Sequence, residues 1–299
     1  MPELPEVETV RRNLESTILG RVIAGVALSG KKLRSRVPPA LGRRVKGRRV
    51  AGLGRHGKYL LIQLDGGLTL LSHLGMSGRW LFFDEPPGRG LPHVHVRVRF
   101  GDGAALWFQD PRRFGLLRLV ETGRLARDPA LRILGPDPVA SPPTGPGLQT
   151  LARDARVAVK NFLLDQRRIA GIGNIYASEI LYRSAVDPRR RAGRVTGAEW
   201  QAIARETIAV LGEAIERMGT TFSAYRTLWN EPGAYGDQLR VYDRAGQPCR
   251  RCGNAIRRIV QGQRSTFFCP TCQRRVQPVR RGRRPRPAHL GIARGRPDP

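Results

Sequence analysis

No apolar run in this 299-residue chain approaches the roughly 20 residues that a helix needs to cross a bilayer, so no membrane span is expected. A secretory leader is not expected either. Glu3, Glu6 and Glu8 come early, and no apolar stretch or small-residue cleavage site follows them. Both absences point to the cytosol, where four scarce cysteines argue for a metal rather than for disulfides. Acidic residues are also in short supply: 24 Asp plus Glu face 53 Lys plus Arg, a net charge of +29. Lysine itself is rare, confined to Lys31, Lys32, Lys46, Lys58 and Lys160, and a GC-rich genome accounts for most of that bias towards arginine. Nucleic acid is the polyanion that best matches such a surplus. An anionic membrane surface fits less well, because the basic residues are not gathered on one amphipathic helix. Basicity alone separates neither DNA from RNA nor binding from catalysis.

What is present reads as two large units and a small one. Pro5 suits the first turn of a helix, Glu6 and Glu8 favour its N-terminus, and Val7, Val10, Leu14 and Ile18 form one apolar stripe that Gly20 ends. Strand signals follow at 58–64, 68–74, 93–100, 105–109 and 116–120, with Val94, Val96, Val98 and Phe100 expected on one face. Short spacing without intervening helices predicts an antiparallel β-sandwich over 1–134 with a leading helix. Residues 135–147 are Pro/Gly-rich and read as a linker. Residues 148–236 turn helical. Thr196 and Glu199 have capping-box spacing, and the helix they open would bury Trp200, Ile203, Ile208, Leu211 and Ile215, with Gly219 as its stop. A cysteine-bearing unit over 237–275 and a basic, disordered tail over 276–299 complete the chain. The fold class is therefore multidomain α+β.

Two constellations carry chemistry. Cys249 and Cys252, then Cys269 and Cys272 after sixteen residues, match the two knuckles of a four-cysteine zinc ribbon. All four ligand positions are protein, so one structural zinc ion is expected, stabilising a hairpin too small to fold alone. Arg257, Arg258 and Arg264 would make that hairpin a DNA-groove element, although each Arg also suits a solvated surface. Gly171-Ile-Gly173 before a helix starting near Asn174 would leave free backbone N–H groups for a phosphate, with the glycines admitting a DNA backbone. A tight helix–helix turn is the plainer alternative. His93 and His95, on the polar face of their strand, are not read as a metal site.

Pro2-Glu-Leu-Pro-Glu-Val-Glu-Thr, His73-Leu-Gly-Met-Ser-Gly, Asp110-Pro-Arg-Arg-Phe-Gly, Gly171-Ile-Gly-Asn-Ile-Tyr-Ala-Ser-Glu and the zinc hairpin occur in one order. From Pro2 to about Cys272 the chain resembles the bacterial formamidopyrimidine-DNA glycosylases, repair enzymes for 8-oxoguanine and ring-opened purines. The resemblance implies an N-terminal β-sandwich, a helix–two-turn–helix domain and a zinc finger, binding damaged double-stranded DNA as a monomer, in the bacterial cytoplasm and at the nucleoid through DNA. The endonuclease VIII branch is similar in architecture but usually differs at the position of Leu4.

The same resemblance implies roles. Pro2, terminal once Met1 is removed, is the Schiff-base nucleophile for a glycosylase and β,δ-eliminating lyase. A terminal amine has a pKa of ~8 against ~10.4 for Lys, and nearby cations would depress it further. Glu3 is the general acid/base, Glu6 a supporting carboxylate, and Lys58 and Arg264 act beside the lesion phosphate. Met76, Arg112 and Phe114 fill the void left by the extruded base, while Arg113 is read as structural. His73, Lys160, Asn174 and Arg264 contact phosphates. The segment from Gly219 reads the flipped base, with Thr220, Thr221 and Tyr225 as candidates; Ser223 stands where some relatives carry Lys. Two other functions fit the same residues: an endonuclease VIII-like enzyme for oxidised pyrimidines, and a non-catalytic lesion binder, against which Pro2, Glu3 and Lys58 argue.

Overall fold

The computed structural model describes residues 1–221 and 225–274; Ser223 and the tail expected over 276–299 lie outside the described residues. Helix α1 (Leu4–Ile18) buries the predicted stripe of Val7, Val10, Leu14 and Ile18. Its N-terminus is closed from within, because the Glu6 carboxylate accepts the Glu3 backbone N–H at 2.7 Å.

Two four-stranded antiparallel sheets follow. One is ordered β1 (Ile23–Leu28), β6 (Val94–Phe100), β7 (Ala105–Gln109) and β5 (Arg79–Phe83). The other is ordered β2 (Val50–His56), β3 (Tyr59–Leu64), β4 (Leu68–His73) and β8 (Leu116–Glu121). A short helix, α2 (Leu41–Val45), packs beside β1. Inner-face residues of both sheets, including Ile62, Leu70, Val96 and Phe108, share one core with the stripe of α1. The strand at 94–100 departs from strict alternation. Its register shifts between Val94 and Val96, so Val96, Val98 and Phe100 enter the main core while Val94 packs with Ala105 and Trp107 elsewhere. A bulge of this kind turns a strand's side chains to the opposite face. His95 is consequently buried, not on a polar surface. One ring nitrogen lies 2.9 Å from the carbonyl of Asp110 and the other 3.1 Å from the Ser29 hydroxyl.

The Pro/Gly stretch from 135 is bolted down. Asp137 is 3 % exposed; it accepts the Gly57 N–H at 2.7 Å and pairs with Arg55, which also pairs with Glu8 of α1 at 2.9 Å. Helices α3 (Gly145–Ala152), α4 (Val159–Leu164), α5 (Asn174–Arg183) and α6 (Gly197–Glu216) build the second core. The capping box at Thr196 forms as predicted. Along α6, however, Thr207 is buried and Ile208 is 47 % exposed. Steps of three and four from Trp200 reach 203, 207 and 211, and position 208 is turned about 100° further round the helix.

The chain then crosses back. Tyr225 and Leu228 lie in the sandwich core, so the span 148–236 does not pack as one helical unit. A hairpin of β9 (Arg257–Gln261) and β10 (Arg264–Phe268) carries the cysteines at its base and docks against α5. No helix among the described residues is long and apolar enough to cross a membrane.

Candidate active site and nucleic-acid interface

The N-terminus, the β2–β3 turn and the turn before α5 converge. Leu4 donates its N–H to the Gly171 carbonyl at 3.1 Å and belongs to the helical core, so the first residues plug into the second unit. The Glu3 carboxylate reaches the N-terminus of α5, accepting the Ile175 N–H at 3.0 Å and, at the 3.5 Å limit, that of Tyr176. Anionic groups are favoured there by the unsatisfied amides and the helix dipole. Both glycines are explained by these contacts. A Cβ on Gly173 would lie 2.2 Å from the Glu3 carboxyl carbon, and one on Gly171 (φ +93°) would lie 2.5 Å from the Leu4 side chain. The glycines expected to admit a DNA backbone thus admit Glu3 and Leu4. Two of the amides expected to be free are held by Glu3, and the Gly171 amide donates to Gln166 at 2.9 Å.

Beside this junction lies a cleft of about 310 Å³, bordered by Met1, Lys58, His73, Gly173, Arg34 and Arg264. Met1 borders the cleft and Pro2, next in the chain, is buried with its nitrogen in the peptide bond to Met1, whose own amine experiences the local field. Burial lowers that amine's pKa most, Lys58 and Arg264 lower it further, and Glu3 and Glu6 pull it back up. Lys58 is 6 % exposed, and its ammonium makes no hydrogen bond among the described residues. Burial holds its pKa down, helped by Arg264 and opposed by Glu3 and Glu6. His73 is buried with its ring 4.7 Å from that of Tyr59. Its Nδ1 accepts the Gly75 N–H at 2.9 Å, and burial with Arg34 and Lys58 nearby drops its pKa to about 3. A neutral imidazole accepting at Nδ1 carries its proton on Nε2, which leaves a donor for an anion in the cleft.

Behind Glu3, the Glu6 carboxylate also accepts the Thr220 N–H at 2.8 Å and the Tyr176 hydroxyl, which lies 3.2 Å from the Thr220 hydroxyl. Burial, with Glu3 close by, raises the pKa of Glu6. Glu6 therefore joins α1, α5 and the loop after α6. Sequence reasoning missed Tyr176 and Arg34. Tyr176 stands two positions after Asn174 inside the glycine motif, a place that could have drawn attention; Arg34 is one arginine among many.

The three void-filling candidates come together on the surface. Met76 and Phe114 are 41 % and 43 % exposed, and the Arg112 guanidinium lies over the Phe114 ring at 4.7 Å. Their loops are cross-braced. Buried Asp110 accepts the Ser77 hydroxyl at 2.6 Å and the Gly115 N–H at 2.7 Å, while Ser77 accepts the Arg112 N–H at 3.2 Å. Arg113 holds the turn with φ +57° and an exposed side chain.

Other candidates are placed differently from expectation. Lys160 is fully buried; its ammonium donates to the Ser265 carbonyl and the Thr266 hydroxyl, both at 2.7 Å, and its pKa falls to about 7 through burial and Arg264. Asn174 donates its side-chain amide to the same Ser265 carbonyl at 2.9 Å. Both expected phosphate contacts therefore dock the hairpin, which presents Arg264 to the cleft. Tyr225 is buried in the sandwich core with its hydroxyl on the Met218 carbonyl. Thr221 bonds the Tyr225 carbonyl and the Gly233 N–H, so the side chains of Thr220, Thr221 and Tyr225 are all engaged internally.

The four cysteine sulfurs lie within 4.8 Å of one another, with Cys252–Cys269 at 3.5 Å and Cys249–Cys272 at 3.9 Å. A tetrahedron of ~2.3 Å zinc–sulfur bonds has edges of ~3.8 Å, so the cluster fits one structural zinc and leaves no open position for catalysis. The Tyr182 hydroxyl and the Arg251 N–H point at the Cys249 sulfur, the outer donors that steady thiolate ligands.

Three family models match the chain. Residues 1–117 match the formamidopyrimidine-DNA glycosylase N-terminal domain, 134–226 that family's H2TH domain, and 246–275 a zinc finger found in FPG and IleRS. A formamidopyrimidine-DNA glycosylase of Methylococcus capsulatus is 44 % identical over 274 residues, covering 92 % of this chain and all of that protein. The MutM (Fpg) crystal structure from Thermus thermophilus superposes with a TM-score of 0.81 at 40 % identity, covering 91 % of this chain and 98 % of that one. A Lactococcus lactis FPG variant in complex with Fapy-dG-containing DNA gives 0.84 at 30 % identity, covering 92 % of this chain and all of that one.

Proposed function

The chain belongs to the formamidopyrimidine-DNA glycosylase family, and on that footing we propose that it excises oxidised purines, 8-oxoguanine and formamidopyrimidines, from duplex DNA and then cleaves the strand. The observation that carries this reading is the seating of the N-terminus at a cationic cleft, with Glu3 fixed on α5 and Lys58 and Arg264 at the rim. Lys58, Arg264 and the Nε2 donor of His73 suit the phosphates flanking a lesion; Met76, Arg112 and Phe114 suit the vacated duplex.

Removal of Met1 makes the Pro2 nitrogen a secondary amine. It attacks C1′ of the damaged nucleotide, the glycosidic bond breaks, and the base departs with a proton. Glu3 protonates O4′ as the sugar ring opens, giving an iminium that is charged at every pH and draws electrons. Loss of a 2′ proton expels the 3′ phosphate, and a further proton loss expels the 5′ phosphate. Water then hydrolyses the imine and returns the amine. Lys160 and Asn174 support this chemistry by holding the hairpin that carries Arg264. The enzyme works as a monomer, in the cytoplasm and at the nucleoid, and the basic tail adds affinity for phosphates that is independent of sequence.

Incubation with an 8-oxoguanine:cytosine duplex and borohydride, then digestion and mass mapping, tests the reading. An adduct on Pro2 is expected, and Pro2→Gly abolishes it. No adduct from protein lacking Met1 and loaded with zinc would overturn the purine assignment, and thymine glycol in the same assay separates a pyrimidine enzyme from a lesion binder.

A further inference from the structure

Lys58 reaches the cleft from the tip of a hairpin, and nothing at its own end holds it. The last β2–β3 pair is His56 with Tyr59, so Gly57 and Lys58 form a two-residue turn. Gly57, at φ +56°, takes the first central position, where such turns favour glycine. Lys58 is 6 % exposed, and its ammonium makes no hydrogen bond among the described residues. A flexible four-carbon stem is then aimed by its backbone and its packing alone.

That backbone is held on both sides. The Gly57 N–H donates to the Asp137 carboxylate at 2.7 Å. The Gly57 carbonyl, half of the peptide group leading into Lys58, accepts Arg55 Nη1 at 3.0 Å. Arg55 and Asp137 pair with each other, with Nη2 at 3.1 Å from the second carboxylate oxygen. The same oxygen accepts the N–H groups of Val139 at 3.0 Å and Ala140 at 3.3 Å, which fixes the carboxylate to its own stretch of chain. Arg55 also meets Glu8 of α1 at 2.9 Å. The turn has no room to shift towards α5: a Cβ on Gly57 would lie 2.9 Å from the Ala170 side chain and 3.2 Å from the Gly171 nitrogen. Ala170 is fixed in turn, donating its N–H to the Pro136 carbonyl at 3.0 Å. An ion pair that served the fold alone would be complete without Gly57; here both of its members reach past each other to the turn.

We propose that Asp137, through Arg55 and Gly57, is the positioning residue for Lys58: it fixes the ammonium where the cleft receives a DNA phosphate. The proposal rests on the part of the reading above that gives Lys58 a phosphate, not on which base is removed.

The test is a double-variant cycle read by binding. Affinity for a duplex carrying a tetrahydrofuran abasic analogue opposite cytosine is measured over a range of salt. The proteins are wild type, Lys58→Met, Asp137→Ala, Arg55→Lys, and each of the last two combined with Lys58→Met. Leu211→Ala, in the helical core, controls for lost stability. Lys58→Met is expected to lower the salt slope by about 1, the share of one phosphate. Asp137→Ala and Arg55→Lys are each expected to weaken binding about fivefold and to lower the slope in the same direction. Once Lys58 is gone, each is expected to cost less than about twofold. Leu211→Ala keeps the wild-type slope. Arg55→Lys leaves a cation between the two carboxylates and decides the matter if Asp137→Ala fails to fold. Losses undiminished in the absence of Lys58, wild-type slopes in the Asp137 and Arg55 variants, or a Lys58→Met protein that binds as wild type does would each overturn the assignment. Failure of wild type to excise 8-oxoguanine, with the cycle as expected, would remove the excision reading and leave this one standing.

Discussion

Glu3 and Ile175 are joined at 3.0 Å although they stand 172 positions apart, so the residue that opens one helix also closes the N-terminus of another with its carboxylate. The contact holds the proposed acid/base with a backbone donor that no side-chain substitution removes. Its clearance comes from Gly173. Gly173→Ala would place a methyl 2.2 Å from the Glu3 carboxyl carbon and push that group aside. A misplacement of about 1 Å at reacting groups costs about 100-fold in rate. Single-turnover excision should fall by that order with the far-ultraviolet circular dichroism unchanged; a rate within threefold of wild type would show that the carboxylate's position is not required.

His73 makes acid a destabiliser. Its folded pKa of about 3 lies below the ordinary 6.5, so the unfolded chain takes up a proton that the folded one refuses. Its contribution is whole above pH 6.5 and is lost as pH falls from there towards 3. Denaturant midpoints for wild type and His73→Gln, measured across that window, should show wild type losing stability relative to the variant on the way down. Parallel curves would contradict the buried, neutral imidazole.

Lys160→Met removes the ammonium from the Ser265 carbonyl and the Thr266 hydroxyl while keeping most of the buried volume. Unmaking buried hydrogen bonds costs ~1–3 kcal/mol. Amide exchange should quicken at Arg264–Phe268 and stay unchanged in the sandwich. Uniform quickening throughout would mean that Lys160 supports the whole fold instead of the hairpin's seat.

Chelation of zinc should unfold β9 and β10 while leaving α1 and the two sheets intact, because the small apolar cluster under the hairpin, Val241, Ile256 and Phe267 with Tyr182 of α5, is closed by the ligands Cys249 and Cys269 themselves. Loss of Arg264 from the cleft should accompany it, and excision should fall with the released metal. A chelated protein that keeps the hairpin's exchange protection would show that packing on α5 suffices.

Asp137→Ala leaves Arg55, whose side chain is 4 % exposed, with Glu8 as its remaining carboxylate partner beside the Gly57 carbonyl at 3.0 Å. Breaking a buried pair from one side costs ~3–5 kcal/mol. The urea midpoint should drop accordingly with little change in slope, and a loss below ~1 kcal/mol would show water reaching the guanidinium.

Features written in local spacing were legible in the sequence: the cysteine pairs, the Thr196 cap, the stripe of α1, and strands β3, β4, β7 and β8, with β6 found but not its break in alternation at Val94. Strands β1, β2 and β5 were not; in the first two, Gly25, Gly52 and Gly54 remove the side chains on which a period of two depends. A Cβ on Gly52 would fall 2.6 Å from the Gln63 side chain, a reason visible only across the sheet. The glycine turn before α5 was legible as a place of close approach, but its visitor comes from the other end of the chain. Lys160 and Tyr225 belong to the same class. Their types suit a phosphate or a base edge, and only the three-dimensional neighbours reveal a carbonyl and a hydrophobic core.

The seating of Tyr225 and Leu228 among the sandwich residues bears on how the protein is made. Synthesis delivers the N-terminus first, and domains commonly fold as they emerge. Here both sheets leave the ribosome about a hundred residues ahead of two side chains that finish their shared interior. Until those arrive the nascent sandwich carries an open apolar notch; a truncation after the eighth strand should yield insoluble protein, not an isolated domain.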